Sequence, residues 1–209
     1  MYKLPQLNYL YDGLEPFIDT HTLGFHYNIH EYNYLKNLII LLNKNNYDYR
    51  YSLEELIYHI DEFNSNDRED ILYNLGGVLN HNLYFHSMNT SERRTKMMGN
   101  LLMKVERKYG SYEGFYEEFK KSALKSKGSG YTFLVMDRRG DIDIINTSNQ
   151  DTPLVMGYIP LFTIDMWEHA YYINYGPNKS EYLDNFKRVA DFSLANKIYN
   201  EKKILVFFD

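Results

Sequence analysis

The first half of the chain repeats its apolar residues at the spacing of an α-helix. Between Thr20 and Asn43 the apolar positions form one stripe, with histidines and asparagines recurring beside it, which predicts a long helix. Ser52 and Glu55 have the types and the spacing of a capping box, and they predict the start of another helix. The same periodicity predicts further helices over residues 67–85, 97–109 and 111–126.

The pattern changes after Gly130, where short runs rich in β-branched and aromatic residues replace the helical stripe. These runs predict strands over 131–136 and 142–146, a third strand within 153–163, and then helices over 167–173 and 180–200. Helices followed by a strand meander predict an α+β fold. We expect an N-terminal α-helical hairpin domain over residues 1–90 and a C-terminal α/β domain over 91–209, with a three-stranded antiparallel sheet.

Two adjacent glycines, Gly76 and Gly77, lie inside the helix predicted over residues 67–85. A glycine in a helix interior costs about 1 kcal/mol relative to alanine. Because the cost is incurred twice here, we expect another part of the structure to approach this helix backbone closely.

The composition narrows the possible functions and metal sites. The 209-residue chain has no cysteine, which excludes disulfides, thiolate metal sites and thiol nucleophiles. Any metal must therefore be bound by nitrogen and oxygen ligands. A net charge of −5 argues against nucleic acid as a partner, because nucleic-acid binding favours a basic face.

Membrane association and secretion are not indicated by the sequence pattern. No stretch approaches the roughly 18 consecutive apolar residues of a membrane helix. The first residues lack the basic start and the apolar run of a secretory signal, so we expect a cytoplasmic protein. A signal trimmed from this sequence, or association with a coat or matrix, stays an open alternative.

Asp165 and His169 are four residues apart, where a predicted strand ends and a helix begins. This spacing places both side chains on one face of a helical turn, and a carboxylate beside an imidazole suits a first-row transition metal. A surface Asp–His pair is the commoner explanation of such spacing. Here the flanking Trp167, Ala170 and Tyr171 indicate a buried segment, in which an aspartate needs a partner.

Three histidines of the helical half are further candidates. His26 and His30 are four residues apart, a spacing that two metal ligands can have, and His81 lies on another predicted helix. For each of them taken alone, a structural role is the commoner one. Three histidines and an aspartate would give three nitrogens and one oxygen, which is consistent with manganese or iron and does not exclude zinc. Spacing alone does not show that the four side chains meet.

A set of short motifs follows along the chain in one order. The most specific is Asp165-Met-Trp-Glu-His-Ala-Tyr-Tyr172. Two helical motifs precede it, His26 to Tyr34 and Gly76-Gly-Val-Leu-Asn-His81. Other matching segments are residues 4–16, 109–115, 128–130 and 149–153. Together they resemble the iron/manganese superoxide dismutase family over nearly the whole chain.

The resemblance implies a role for each matching residue. The metal ligands would be His26, His81, Asp165 and His169, with a solvent molecule as the fifth. Tyr34 and His30 would form the gate through which superoxide and protons reach the metal. Lys179 would attract the anionic substrate, at a position where the family has an arginine.

The same resemblance implies a homodimer, with further assembly to a tetramer as an alternative. Glu168 would reach the partner's His169, and Tyr172 would reach the partner's His30. Trp167 would pack around the ligands of its own subunit.

The implied reaction converts two superoxide anions and two protons into dioxygen and hydrogen peroxide, as one metal ion cycles between the +3 and +2 states. Gln150 would hydrogen-bond the metal-bound solvent and tune the redox potential. Gly77, by lacking a side chain, would leave room for Gln150. Glutamine at the strand position with glycine at the helix position is the manganese-type pattern, so we expect manganese, with iron as the alternative.

The chain departs from the family at several aromatic positions. The family has tryptophans where this chain has Phe85, Tyr131, Phe133 and Phe192. Since these are exchanges of one aromatic ring for another, a packed apolar wall around the metal is still expected, with smaller rings.

Two other functions stay open at the level of sequence. One is a metal-binding relative without dismutase activity, which acts as a structural or interaction protein and uses its 22 tyrosines, for example in an oxidatively cross-linked coat. The other is a zinc hydrolase with the same ligands. Zinc does not change its redox state, so only a colourless protein without dismutase activity would support the hydrolase.

Overall fold

The computed structural model describes residues 1–201, so residues 202–209 of the predicted C-terminal domain lie outside the described residues. The predicted α+β fold class is confirmed. The α-helices are Thr20–Phe25 (α1), Tyr32–Lys44 (α2), Leu53–Leu56 (α3), Arg68–His86 (α4), Gly99–Tyr109 (α5), Tyr112–Lys125 (α6), Glu168–Tyr175 (α7), Lys179–Val189 (α8) and Ser193–Glu201 (α9). The strands are Gly130–Met136 (β1), Ile142–Ser148 (β2) and Ile159–Asp165 (β3).

The three strands form one antiparallel sheet, as the sequence predicts, but the predicted meander is wrong. The order is β2-β1-β3, so β3 pairs with β1 and not with β2. The central strand β1 is buried along its whole length. Its register with β3 places Tyr131 directly opposite Asp165, the last residue of β3. Residues directly opposite each other in an antiparallel pair point to the same face of the sheet, so these two side chains are neighbours.

Two apolar clusters hold the helices against one another and against the sheet. The larger cluster joins the N-terminal segment to the C-terminal half, and it includes Tyr9, Phe162 and Phe186. The smaller cluster lies mainly between α2, α3 and α4 and includes Leu154. Both clusters contain residues from each side of position 90, so the proposed boundary between two domains stays a prediction. Among residues 1–201, no helix has the length and hydropathy that crossing a bilayer requires.

The long helix predicted over residues 20–43 is interrupted by a π-helical turn, His26–Glu31, which separates α1 from α2. A π-helical turn inserts an extra residue into the helix and so changes the direction of the side chains that follow. His26 is buried while His30 is only half-buried. Hydrophobic periodicity does not reveal this insertion, because the segments on both sides of it are α-helical.

The single helix predicted over residues 180–200 is wrong, because α8 ends at Val189 and α9 begins at Ser193. The backbone N–H of Asp191 donates to the Ser87 carbonyl at 2.8 Å, and that of Phe192 donates to the Thr95 carbonyl at 2.9 Å. Both N–H groups therefore donate to carbonyls of distant residues. In one continuous helix they would have to donate to carbonyls of that helix instead.

Gly76 and Gly77 lie where other parts of the chain touch α4, as the sequence predicts. A Cβ added at Gly76 would lie 2.0 Å from the Gln150 carbonyl oxygen, and one at Gly77 would lie 2.5 Å from the Tyr34 ring. The structure differs from the expectation in one detail. The atoms nearest to Gly77 belong to Tyr34, whereas Gln150 lies against Gly76.

Replacing Gly76 with alanine should lower the free energy of unfolding by at least about 2 kcal/mol, because the added carbon overlaps a backbone carbonyl that cannot rotate away. The matched control is Gly24→Ala in α1, where no atom lies within 4 Å of the added carbon. That variant should be as stable as the wild type, or more stable by up to about 1 kcal/mol. Guanidinium unfolding measures both, and equal stability of Gly76→Ala and wild type would contradict the close approach.

Candidate metal centre

Four side chains that are far apart in the sequence meet in the interior of the protein. They are those of His26, His81, Asp165 and His169, and their possible ligand atoms all lie within 4.8 Å of one another. Asp165 Oδ2 lies 3.1 Å from His26 Nε2, 3.4 Å from His169 Nε2 and 3.8 Å from His81 Nε2. The structure thus brings together the four residues that the sequence singles out.

Each of these side chains comes from a different element. His26 is the first residue of the π-helical turn, His81 lies in the middle of α4, Asp165 ends β3 and His169 is in the first turn of α7. The Asp165 carboxylate is oriented by the backbone N–H of Trp167, which donates to Oδ1 at 2.7 Å. The second oxygen, Oδ2, therefore faces the three imidazoles.

Two of the converging imidazole nitrogens, on His81 and His169, are available to bind a cation. His81 Nδ1 donates to the Gly77 carbonyl at 2.6 Å, so its proton is on Nδ1 and its Nε2 is unprotonated. Nε2 of His81 and of His169 are buried and have no hydrogen-bond partner in the described part of the chain. Buried polar atoms are normally satisfied, and a metal cation is the partner that these nitrogens and the carboxylate suit.

The charge states of these side chains in the metal-free protein also favour the binding of a cation. Burial, with His169 as the next cause, lowers the pKa of His26 to about 4, and burial lowers the pKa of His81 well below its ordinary value. Burial alone would raise the pKa of Asp165, but the neighbouring imidazoles of His169 and His26 outweigh it and hold that pKa below its usual range. His26 and His81 are thus neutral, and the carboxylate is ionised, at neutral pH.

Gln150 is held beside the site by contacts to its backbone. The Asn80 amide donates to the carbonyls of Gln150 at 3.2 Å and of Asp151 at 3.1 Å, and Gly76 allows the Gln150 carbonyl to approach α4. The Gln150 side chain is buried, and its Nε2 donates to the Tyr34 hydroxyl at 3.0 Å. Burial raises the pKa of Tyr34 above its ordinary value, which keeps the hydroxyl protonated.

His30 and Trp167 pack on the two sides of the His169 ring. The His30 ring is stacked on His169 with 4.0 Å between ring centroids, and the Trp167 ring is stacked at 5.6 Å. Burial, followed by the effect of His169, lowers the pKa of His30 to about 4. The Trp167 indole N–H also donates to the Asn149 carbonyl at 3.2 Å, which ties this wall to the Gln150 loop.

Three other residues that the sequence singles out lie on the outer surface. Glu168 and Tyr172 are exposed on α7. Lys179 opens α8, and its Nζ lies 5.7 Å from the centroid of the Tyr171 ring. None of the three touches the four converging side chains in the contacts of the described residues.

Sequence reasoning missed Tyr182, and it gave Tyr131 only a place in the apolar wall. The Tyr182 hydroxyl donates to the Asp165 carbonyl at 3.0 Å, and the Tyr131 hydroxyl lies 3.3 Å from His81 Nδ1. Both tyrosines are fully buried. Among 22 tyrosines, no spacing distinguishes these two, although the exchange of tryptophan for Tyr131 was a signal.

Comparison with known proteins identifies the group of proteins that shares these features. Residues 1–89 match the family model described as the alpha-hairpin domain of iron/manganese superoxide dismutases, and residues 97–198 match the model of their C-terminal domain. The chain belongs to the iron/manganese superoxide dismutase family.

Curated relatives agree with this assignment. The "Superoxide dismutase [Mn]" of Haemophilus ducreyi is 34% identical over 209 residues, which cover 97% of this chain and 96% of the relative. The "Superoxide dismutase [Mn]" of Thermus aquaticus is 33% identical over 198 residues, which cover 95% and 97%. The matches extend over nearly the whole length of both proteins.

In this member of the superoxide dismutase family, Phe85 and Tyr131 are the smaller rings that pack beside the ligands. The Phe85 ring lies 5.1 Å from the His26 ring and 6.3 Å from the His81 ring, and the Tyr131 ring lies 6.0 Å from the His81 ring. Phe133 and Phe192 are also at most 2% exposed, but in the described residues Phe133 contacts the Tyr131 ring and Phe192 stacks on Phe162.

Because His26 and His81 are already neutral, metal binding to the metal-free protein should release few protons at pH 7. Ligand protons must leave before a metal binds, so proton release should increase as the pH falls toward the lowered pKa of His26, about 4. Calorimetric titration with Mn²⁺ in buffers of different ionisation enthalpy measures this number. Release of two or more protons per ion at pH 7 would contradict the neutral states of His26 and His81.

Proposed function

We propose that this superoxide dismutase works with one redox metal ion bound by His26, His81, Asp165 and His169. The observation that supports the proposal most directly is the convergence of three imidazoles and one carboxylate, with possible ligand atoms within 4.8 Å of one another and three of the four residues buried. The reaction consumes two superoxide anions and two protons, and it yields dioxygen and hydrogen peroxide. The metal would supply the one-electron exchange, oxidising the first superoxide and reducing the second.

The protein would control access to the site and the delivery of protons. Tyr34 and His30 are half-buried, in contrast to the nearly complete burial of three of the four ligands, and this difference suits residues at an entrance. The hydrogen bond from Gln150 to the Tyr34 hydroxyl gives a route along which a proton can be held and moved. We assign Tyr34, His30 and Gln150 to this task.

Manganese is the metal that we propose, with iron as the alternative. Both relatives described above are named as manganese enzymes. The glycines of α4 admit Gln150 and Tyr34 close to the site, so that Gln150 can act on the metal from the strand side. Outer hydrogen bonds of this kind tune the potential of a metal centre.

Attraction of an anionic substrate requires a positive charge near the site, because the protein as a whole is negatively charged. Superoxide is an anion, and the chain has a net charge of −5. Local fields can concentrate a substrate of opposite charge near a site. We assign this steering to Lys179, which keeps the positive charge of an arginine but lacks its planar fork.

The surface near the site fits a homodimer. Glu168 and Tyr172 are exposed on α7, next to the exposed Ile173. Helix α1 packs against α7, and the exposed apolar residues Phe25 and Ile29 lie at its end and in the π-helical turn that follows. Exposed apolar groups of this kind mark association surfaces. We propose that Glu168 and Tyr172 bridge two subunits here. A tetramer and a cytoplasmic location stay predictions.

The function is tested by measuring metal content and superoxide dismutation on one sample purified without added metal. We expect near-stoichiometric manganese and high activity. An Asp165→Asn variant should lose at least about tenfold in metal affinity, because removing the one charged ligand leaves three neutral ones.

The other outcomes separate the alternatives. Iron with high activity would keep the function and overturn the choice of manganese. Zinc, or no metal, with no activity after reconstitution with manganese or iron, would contradict the proposal. In that case a structural role or a zinc hydrolase would be the better explanation.

The dimer is tested by placing a charge on its proposed surface. Ile29→Glu should shift the protein toward the monomer in sedimentation velocity, because a buried unpaired carboxylate destabilises an interface. Ile40→Glu is the matched control, since Ile40 is exposed to a similar extent (55% against 49%) on a different helix. An unchanged sedimentation coefficient for Ile29→Glu would contradict this surface.

A further inference from the structure

A cavity of about 690 Å³ opens between helices of the C-terminal half. Its walls come from the segment before α5, from α5, from the start of α6, and from α8 with the turn that follows it. The residues that line it include none of the four side chains that converge at the metal centre. The volume lies within the range of pockets that hold small organic ligands, roughly 300–1,000 Å³.

Four basic side chains line this cavity, although the protein has a net charge of −5. They are those of Arg94, Lys96, Lys187 and Arg188. In the part of the chain that the structure describes, none of the four forms an ion pair with a carboxylate. Three acidic residues also line the cavity, but one of them, Asp184, is paired with Lys120 at 2.5 Å. The cavity therefore has an excess of positive charge.

Arg94 and Lys187 are half-buried, whereas Lys96 and Arg188 are exposed. The Arg94 guanidinium donates to the backbone carbonyl of Lys187 at 3.2 Å. The Lys187 ammonium lies 4.8 Å from the centroid of the Tyr116 ring and 5.6 Å from that of Tyr112. A carbonyl and two aromatic rings attract these cations without neutralising them. Two like charges on one wall repel each other, and an anion in the cavity would be attracted by both.

Aromatic and apolar side chains form another part of the lining. The Tyr112 ring packs edge-on to Phe192, with 5.7 Å between the centroids, and Met97 and Leu102 also face the cavity. Burial raises the pKa of Tyr112 to about 12, while Arg94 acts in the opposite direction, so the guanidinium lies close to this ring. Positive charge next to an apolar wall fits a ligand that combines anionic groups with a planar, apolar body.

The two remaining carboxylates limit what kind of anion fits. Glu106 and Glu113 are exposed, and neither forms an ion pair among residues 1–201. A carboxylate repels a phosphate group but accepts hydrogen bonds from hydroxyl groups, as in the binding of ribose by an acidic residue. A ligand with hydroxyl groups as well as phosphates therefore suits this cavity better than a bare anion does.

We propose that this cavity is a binding site for a nucleotide. Arg94 and Lys187 would bind its phosphates, the arginine through paired hydrogen bonds and the lysine as a point charge. The base would lie against the wall of Tyr112 and Phe192, and the sugar hydroxyls would face the exposed carboxylates. The inference does not depend on the dismutase reaction, because none of these side chains belongs to the metal centre.

The test is calorimetric titration of the metal-loaded protein with ADP at about 150 mM salt, where contacts between fully exposed charges are largely screened. We expect saturable binding at one site per chain. Arg94→Gln and Lys187→Gln should each weaken the binding at least about tenfold, because each removes a charge that contacts phosphate. Arg93→Gln is the matched control, since Arg93 is the adjacent, exposed arginine and does not line the cavity. It should bind ADP as the wild type does.

Pyrophosphate and adenosine, titrated separately, distinguish the two halves of the ligand. Each should bind at least about tenfold more weakly than ADP, because each lacks one set of contacts. Pyrophosphate that binds as tightly as ADP would overturn the assignment of a nucleotide, and adenosine that does so would overturn the role of the cations. The thermal unfolding of each variant is measured on the same sample, so that loss of fold is distinguished from loss of binding.

Two further outcomes would overturn the site itself. One is the absence of saturable ADP binding to the wild type up to about 1 mM. The other is an equal loss of affinity in Arg93→Gln and Arg94→Gln, which would show that ADP responds to surface charge in general and not to this cavity.

Discussion

The rest of the structure depends on one buried carboxylate that faces three imidazole nitrogens. Asp165 is completely buried, and its Oδ2 lies 3.1–3.8 Å from the Nε2 atoms of His26, His169 and His81. A buried charge without a cationic partner costs several kcal/mol. Because the pKa values of His26 and His81 are lowered, neither of these two histidines supplies that partner by protonation at neutral pH. A metal cation at the centre would offset the cost and hold four separate elements together.

The fold provides this arrangement through backbone features more than through side-chain packing. A π-helical turn presents His26, and a glycine pair in α4 lets the Gln150 loop and Tyr34 approach His81. The end of β3 sets Asp165 one turn before His169. Dismutation needs a site that is open to a small anion and able to receive protons. The half-buried Tyr34 marks the edge of the buried region.

Much of this could be predicted from the sequence, because the determining signals are local. The three strands and the capping box at Ser52 follow from periodicity and residue type, and the ligand set follows from motifs that resemble a known family. The order of the strands did not follow, because a meander predicts β2 beside β3 and the structure pairs β3 with β1. The π-helical turn and the break at Ala190 could not be predicted, since the former lies between two helical patterns and the latter depends on tertiary hydrogen bonds. The position of Tyr131 opposite Asp165 depends on the exact register of β1 with β3, which a single sequence does not determine.

X-ray absorption at the metal edge, measured on protein purified without added metal, tests the central claim most directly. The account predicts one manganese per chain whose scattering includes three imidazoles and additional oxygen ligands, and loss of one imidazole contribution in a His81→Gln variant. A metal surrounded by oxygen atoms without imidazole scattering, or a spectrum unchanged by His81→Gln, would contradict it.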